Sequence, residues 1–178
     1  MKKKIDVYEH MGEILKGVKS GVLITAKAGD RVNSMTISWG MMGIEWAKPV
    51  FVTFIREGRF TRQLLEKNGE FTVNIPVDDS AKKILGFCGS KSGRDVDKVK
   101  ELGLTLEEPE TISVPGIKEL PLTLECRVVY KQKQDLSAMP KEALEKFYPQ
   151  DVDSTNTGSN RDVHVAYYGE VVGAYIIQ

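Results

Sequence analysis

Three arginines, Arg56, Arg59 and Arg62, crowd the stretch "REGRFTR" with Thr61 among them. They lie where the alternating apolar run "KPVFVTFIR" gives way to the helical pattern of "RFTRQLLEKNG". Cations at a helix N-terminus oppose the helix dipole, which favours acids there. The arrangement makes sense if an anion sits at that helix end, because free N–H groups, a hydroxyl and guanidinium forks together suit a phosphate. The alternative is Thr61 as a helix N-cap, with the arginines in solvent.

A second group with chemical content is "NSMTISWG", Asn33 to Gly40, which reads as one β-strand. Its alternation puts Ser34, Thr36 and Ser38 on one face and Met35, Ile37 and Trp39 on the other. A row of small hydroxyls suits water poorly, needs buried partners if it faces the core, and suits a polar ligand lying along the strand. Further on, "CGSKSGRDVDK" offers a glycine-rich, hydroxyl-bearing loop with Lys91, Ser92 and Arg94. Its alternative is that Ser92 or Asp95 only caps the following helix. Cys88 and His164 are the types of a thiol nucleophile and its base, but nothing in the sequence brings them together. His10 and His164 are the only histidines, and neither has a Cys/His cluster beside it that would suit a metal.

The elements that must position these residues follow from periodicity. A helix near "YEHMGEILKG" precedes the strand "GVLITAKA", the turn "GDRV" and the returning strand "NSMTISWG". "KPVFVTFIR" is a third strand, "RFTRQLLEKNG" a helix stopped at Asn68–Gly69, and "EFTVNIP" a further strand. "DDSAKKILGF" and "RDVDKVKELG" read as helices that cap the sheet. "LPLTLECRVVYKQKQ" and "HVAYYGEVVGAYII" are long strands, the second with Gly169 and Gly173 as bulge signals. Between them lie a short helix, "MPKEALEKFYP", and an aperiodic loop, "QDVDSTNTGSNRD", that suits a mobile lid or a segment ordered by a partner. The β/α alternation of a parallel sheet is absent, so the fold class is mainly β with capping helices, in an antiparallel barrel.

At 178 residues the chain reads as a single domain, 1–178. Lys plus Arg balance Asp plus Glu at 25 each, which removes the basic footprint of a nucleic-acid binder. No run approaches the roughly 20 apolar residues of a membrane span, so no membrane partner is expected. "MKKK" lacks the apolar region of an export signal, and Cys88 and Cys126 are too few for a disulfide framework. Both features fit a reducing cytoplasm.

The run from Asn33 to Pro76, the loop "CGSKSGRDVDK" and the closing "RDVHVAYYGEVVGAYI" together resemble the flavin reductase-like proteins of the FMN-binding split-barrel group, which include flavoredoxins. The resemblance implies a six-stranded antiparallel Greek-key split barrel that forms a homodimer, with one FMN per subunit near the interface. Carried onto this chain, it sets Asn33, Ser34, Met35, Thr36, Ser38 and Trp39 beside the ring system and ribityl chain. Arg56, Arg59 and Thr61 take the phosphate, and Lys91, Ser92 and Arg94 approach from the other side. His164 borders the flavin, as the residue nearest to a catalytic role.

The expected function is a flavin-dependent oxidoreductase passing electrons from NAD(P)H to flavin or a small acceptor. The alternatives are an electron carrier between protein partners and a non-redox binder of a phosphorylated ligand. No G-x-G-x-x-G dinucleotide fingerprint is present, and split barrels do not rely on one.

Overall fold

Period-two alternation dominates the chain, and a computed structural model, which describes all residues 1–178, turns it into one large antiparallel sheet wrapped around a core. In chain order the elements are β1 (Lys2–Lys4), α1 (Val7–Ser20), β2 (Val22–Ala28), β3 (Arg31–Ile37), β4 (Gly40–Glu45) and β5 (Lys48–Arg56). Next come α2 (Phe60–Asn68), β6 (Glu70–Ile75), α3 (Lys82–Ser90), α4 (Lys98–Leu102), β7 (Leu106–Glu107) and β8 (Gly116–Ile117). The chain closes with β9 (Leu122–Lys133), α5 (Lys141–Phe147) and β10 (His164–Ile177). Strand order across the sheet is β3, β2, β6, β9, β10, β5, β4, and β1 pairs with the far half of β10.

The sheet therefore has eight strands rather than six, with a separate β7–β8 pair. The largest departure from expectation is β4. The strand expected over Asn33–Gly40 ends at Ile37, and the chain re-enters the sheet as β4 after Ser38 and Trp39. The β4–β5 hairpin turns through Trp46 (φ 50°) and Ala47 (φ 58°). Such turns require positive φ at both central residues and normally advertise themselves as Asn-Gly or Asp-Gly; Trp-Ala gives no such signal.

Local chemistry explains the other boundaries. Asp6 caps α1 by accepting from the Tyr8 N–H, and α2 ends at Gly69 in the left-handed conformation. The ladder between β9 and β10 slips at Gly169 and again at Gly173, so both glycines mark bulges. A Cβ on Gly169 would come within 2.5 Å of the Phe71 ring, so the bulge also lets the backbone press onto the core. The expected helix "RDVDKVKELG" shortens to α4 because Asp97 is its cap. α3 runs on through Ser90, taking Cys88 and Gly89 out of the expected loop.

Inward residues of β2, β5, β6, β9 and β10 form the main core with Ile14 and Val18 of α1 and Leu64 and Leu65 of α2. A smaller cluster, Leu23, Ala81, Cys88, Leu104, Ile117 and Leu120, seats α3 and α4 on the outer face of β2. No helix is long and apolar enough to cross a membrane. One interior group is out of place chemically: the Thr53 hydroxyl of β5 is fully buried without a hydrogen-bond partner. Valine has the same shape without the hydroxyl, so Thr53→Val should stabilise the fold by about 1 kcal/mol and raise Tm by roughly 2–4 °C in a thermal melt.

Candidate functional site

β3 is an edge strand, and its free edge opens into a cleft between α2, α3 and the segment 150–162. Its hydroxyl row does not face a ligand as a row. Ser34 Oγ bonds Thr25 Oγ1 at 2.8 Å in the interior, Thr36 Oγ1 donates to the Leu85 carbonyl of α3 at 2.6 Å, and Ser38 lies exposed beyond the strand end. What β3 presents outward is backbone. The Ser34 carbonyl leaves the sheet to meet Lys98, and by the alternation of an antiparallel ladder the N–H and C=O of Thr36 point the same way.

One end of the cleft, about 380 Å³, is polar and cationic. Arg56, Arg59, Lys91, Arg94 and Lys98 line it against only two carboxylates, Asp95 and Asp162. The α2 N-terminus opens here with Arg59 as cap residue, no side-chain cap and no acid in its first turn. Thr61 is therefore not the N-cap; it is the second residue of the helix and buried, and its Oγ1 accepts from Asn33 Nδ2 at 2.7 Å. Gly93 lets the following loop lie on this pair, since a Cβ there would come within 2.1 Å of Asn33 Oδ1. Ser92 and Arg94 border the same space, with Ser92 Oγ accepting from the Arg94 N–H. Uncapped N–H groups, a hydroxyl and converging cations form a donor set that fits a phosphate.

Lys98 is the residue that sequence reading missed. It is 3% exposed, and its Nζ donates to the carbonyls of Ser34 (2.9 Å) and Cys88 (2.8 Å), with no carboxylate in reach. Burial pushes its pKa down to about 8, with Arg59 adding to the fall. A cation held this way lacks a counter-ion that an anionic ligand would supply. The signal in "SGRDVDK" was only a lysine at a helix start; that it folds inward depends on tertiary packing.

The other end of the cleft, about 300 Å³, shares Met35, Thr36, Arg56, Arg59 and Thr157 with the first and is more aromatic, adding Trp39, Phe54, Phe147 and His164. The Trp39 ring packs edge-on against Phe147 at 5.0 Å and lies 5.1 Å from the His164 ring. His164 Nδ1 is engaged with the Tyr148 hydroxyl at 2.8 Å. Burial, with help from Arg56 and Arg59, lowers its pKa to about 3, so the imidazole is neutral. Cys88 lines the polar end and His164 the aromatic end, so no thiol–imidazole pair forms; burial raises the Cys88 thiol pKa.

Arg56 has a different role from the one its spacing suggested. Its guanidinium donates to the carbonyls of Asp162 (2.6 Å), Asn160 (3.3 Å) and Phe147 (2.8 Å) and lies over the Tyr148 ring. It therefore clamps the insertion that follows β9. Arg59 reaches the Thr157 carbonyl, and the Gly58 N–H meets Asp162 Oδ2 at 3.1 Å. The expected lid thus lies over the cleft, tied to the β5–α2 turn. Arg62 points away, to Tyr167 and Glu66.

Comparison with known proteins fits this geometry. A family model described as flavin reductase like domain matches residues 15–178. An uncharacterized protein of Archaeoglobus fulgidus is 34% identical over 100 residues, covering 56% of this chain and 55% of its own, so the match spans little more than half of that relative. A flavoredoxin from Methanosarcina acetivorans superposes with a TM-score of 0.64 at 24% identity, covering 88% of this chain and 67% of that one. An FMN-binding domain of a flavin reductases-like enzyme from Shewanella baltica gives 0.67 at 17% identity, covering 99% and 78%. At these identities the two structures speak for the split-barrel fold.

Proposed function

We propose that this chain, which belongs to the flavin reductase like domain family, is an FMN-binding oxidoreductase that passes electrons from NAD(P)H to flavin or a small acceptor. The observation that carries this reading is the two-ended cleft, cationic at the α2 N-terminus and aromatic at Trp39 and His164. An elongated ligand with a phosphate on one end and a planar ring on the other matches both ends at once. FMN bound there would supply the redox chemistry, as acceptor of a hydride and donor of electrons.

The polypeptide then binds and orients. Arg59, Lys91, Arg94 and Lys98 hold the phosphate with the α2 N–H groups. The Thr36 backbone and Met35 lie along the middle of the ligand, and Asn33 and Thr61 brace the phosphate end. Trp39, Phe54 and Phe147 border the ring. His164, neutral at physiological pH, positions a ring and donates no proton through an imidazolium. Cys88 and Cys126, both buried and free, suit a reducing cytoplasm.

The proposal includes a second copy of the chain. Met41, Val52, Tyr168 and Tyr130 stand opposite one another across β4, β5, β10 and β9, so one outer face carries an apolar strip. Val50, Ala166 and Phe54 pack with Val52 and Tyr168 on the same face, and the exposed Trp46 stands at the β4–β5 hairpin beyond it. A strip of this kind supports a homodimer whose interface adjoins the ring end.

The electron-carrier reading draws support from the likeness to a flavoredoxin. One experiment separates the readings. Gel filtration with light scattering and detection at the flavin absorbance band should give a yellow dimer, and anaerobic NADH or NADPH should bleach it. A protein that stays colourless after FMN titration is a non-redox binder. Flavin that dithionite reduces but neither nucleotide touches belongs to a carrier.

A further inference from the structure

Beyond β9, the chain forms a hydrogen-bonded row that ends on His164 and whose other members, Gln134 and Tyr148, the function above does not use. The Tyr148 hydroxyl donates to Gln134 Oε1 at 3.0 Å and lies 2.8 Å from His164 Nδ1. A phenol has one proton, and an amide oxygen only accepts. With that proton directed at Gln134, the short contact to His164 requires the ring Nδ1–H to donate. The imidazole is then the Nδ1–H tautomer with a bare lone pair on Nε2.

Nε2 has no partner within the chain, yet the only fully buried side-chain nitrogen or oxygen left without one is Thr53 Oγ1. Nε2 is therefore open to the aromatic end of the cleft that His164 lines. The row is held firmly. Tyr148 is buried, its ring meets His164 edge-on at 5.5 Å, and the Arg56 guanidinium lies 5.1 Å above it. Burial keeps the imidazole neutral, with Arg56 and Arg59 as the nearby charged groups adding to the effect.

We propose that Tyr148 and Gln134 are positioning residues that fix His164 as a hydrogen-bond acceptor, and that the aromatic end thereby selects a planar ring ligand bearing an N–H. The chemistry has two sources, the imide N–H of a flavin and the carboxamide N–H of a nicotinamide. The selection rests on the flavin-dependent reading above; the tautomer does not.

Histidine-selective ¹⁵N NMR of the full chain tests the tautomer directly, with circular dichroism confirming the fold. The wild type should show protonated Nδ1 and bare Nε2 at all pH from about 5 to 8. In Gln134→Leu the phenol loses its acceptor and turns its proton to Nδ1, which moves the ring proton to Nε2. In Tyr148→Phe neither nitrogen is fixed, and both tautomers appear. A merely structural role for these residues would leave the ring protonation unchanged. A wild type carrying Nε2–H, or a folded Gln134→Leu with the wild-type tautomer, overturns the proposal.

The ligand source follows from two pairs of probes on the same protein, FMN against its N3-methyl form, and nicotinamide against N,N-dimethylnicotinamide on the FMN-loaded chain. The pair that His164 reads should differ by about 3–10-fold, the worth of one neutral hydrogen bond, and the gap should close in Gln134→Leu. Equal binding within both pairs overturns the selection. Failure of FMN to bind at all sinks the flavin reading instead, and nicotinamide on the unloaded chain then decides the selection.

Discussion

Replacing Lys98 by methionine should weaken FMN by one to two decades while leaving riboflavin within a few-fold of wild type. The buried Nζ donates to two carbonyls and meets no carboxylate, so an arriving phosphate completes its surroundings with a charge-assisted hydrogen bond. Such bonds contribute about 1.5–3 kcal/mol, which is the expected one to two decades. Adding Arg59→Ala should widen the gap between the two flavins, because both changes act at the phosphate end.

The pH dependence carries a sign. In the free chain Lys98 loses its proton as pH rises through about 8, so FMN binding above that pH must take a proton up. Affinity for FMN should therefore fall with rising pH in the wild type and stay nearly flat in Lys98→Met. The unliganded chain should grow more stable between pH 8 and the roughly 10.4 of an ordinary lysine, because there the unfolded state binds the extra proton. Fluorescence-quenching titrations at about pH 7 and pH 9 read both flavins. An equal loss for FMN and riboflavin would mean that Lys98 supports the fold and not the phosphate.

Strand β5 and the final strand β10 were legible to the residue, because period-two alternation bounded by turn formers is a local property. β4 was not, since its hairpin turns on Trp46 and Ala47 against the usual turn chemistry. The cationic end of the cleft was legible as reversed charge at the start of α2. The division of labour among its cations was not, because spacing gives no information about direction. Arg56 and Arg59 are three residues apart in sequence, yet Arg56 is buried under the insertion and Arg59 stands at the open N-terminus of α2. The same limit hid Lys98, whose burial is decided by α3 and β3 and not by its neighbours in the chain. The hydroxyls of Ser34 and Thr36 were expected along a ligand, but they are taken up by Thr25 and a helix carbonyl.

Arg56→Met supplies the complementary test, since it should weaken FMN and riboflavin together. The substitution leaves the carbonyls of Phe147, Asn160 and Asp162 without their donor, a loss of about 2–4 kcal/mol for part-buried groups that water can partly reach. That loss falls on the insertion more than on the sheet. Between α5 and β10 only Tyr148, Asn160 and Val163 are buried, so little apolar packing holds this segment when its clamp is gone. Hydrogen exchange over residues 147–163 should rise sharply while the β6–β9–β10 ladder stays protected. With the segment loosened, Phe147 leaves Trp39 and Tyr148 leaves His164, and the ring end loses its walls. Both flavins bind through that end, so both should lose affinity by about the same factor. Arg56→Lys should not restore it, because an ammonium cannot fork to carbonyls that lie in the directions a planar guanidinium spans. Loss of FMN affinity alone, with riboflavin binding and exchange unchanged, would return Arg56 to the phosphate and remove it from the clamp.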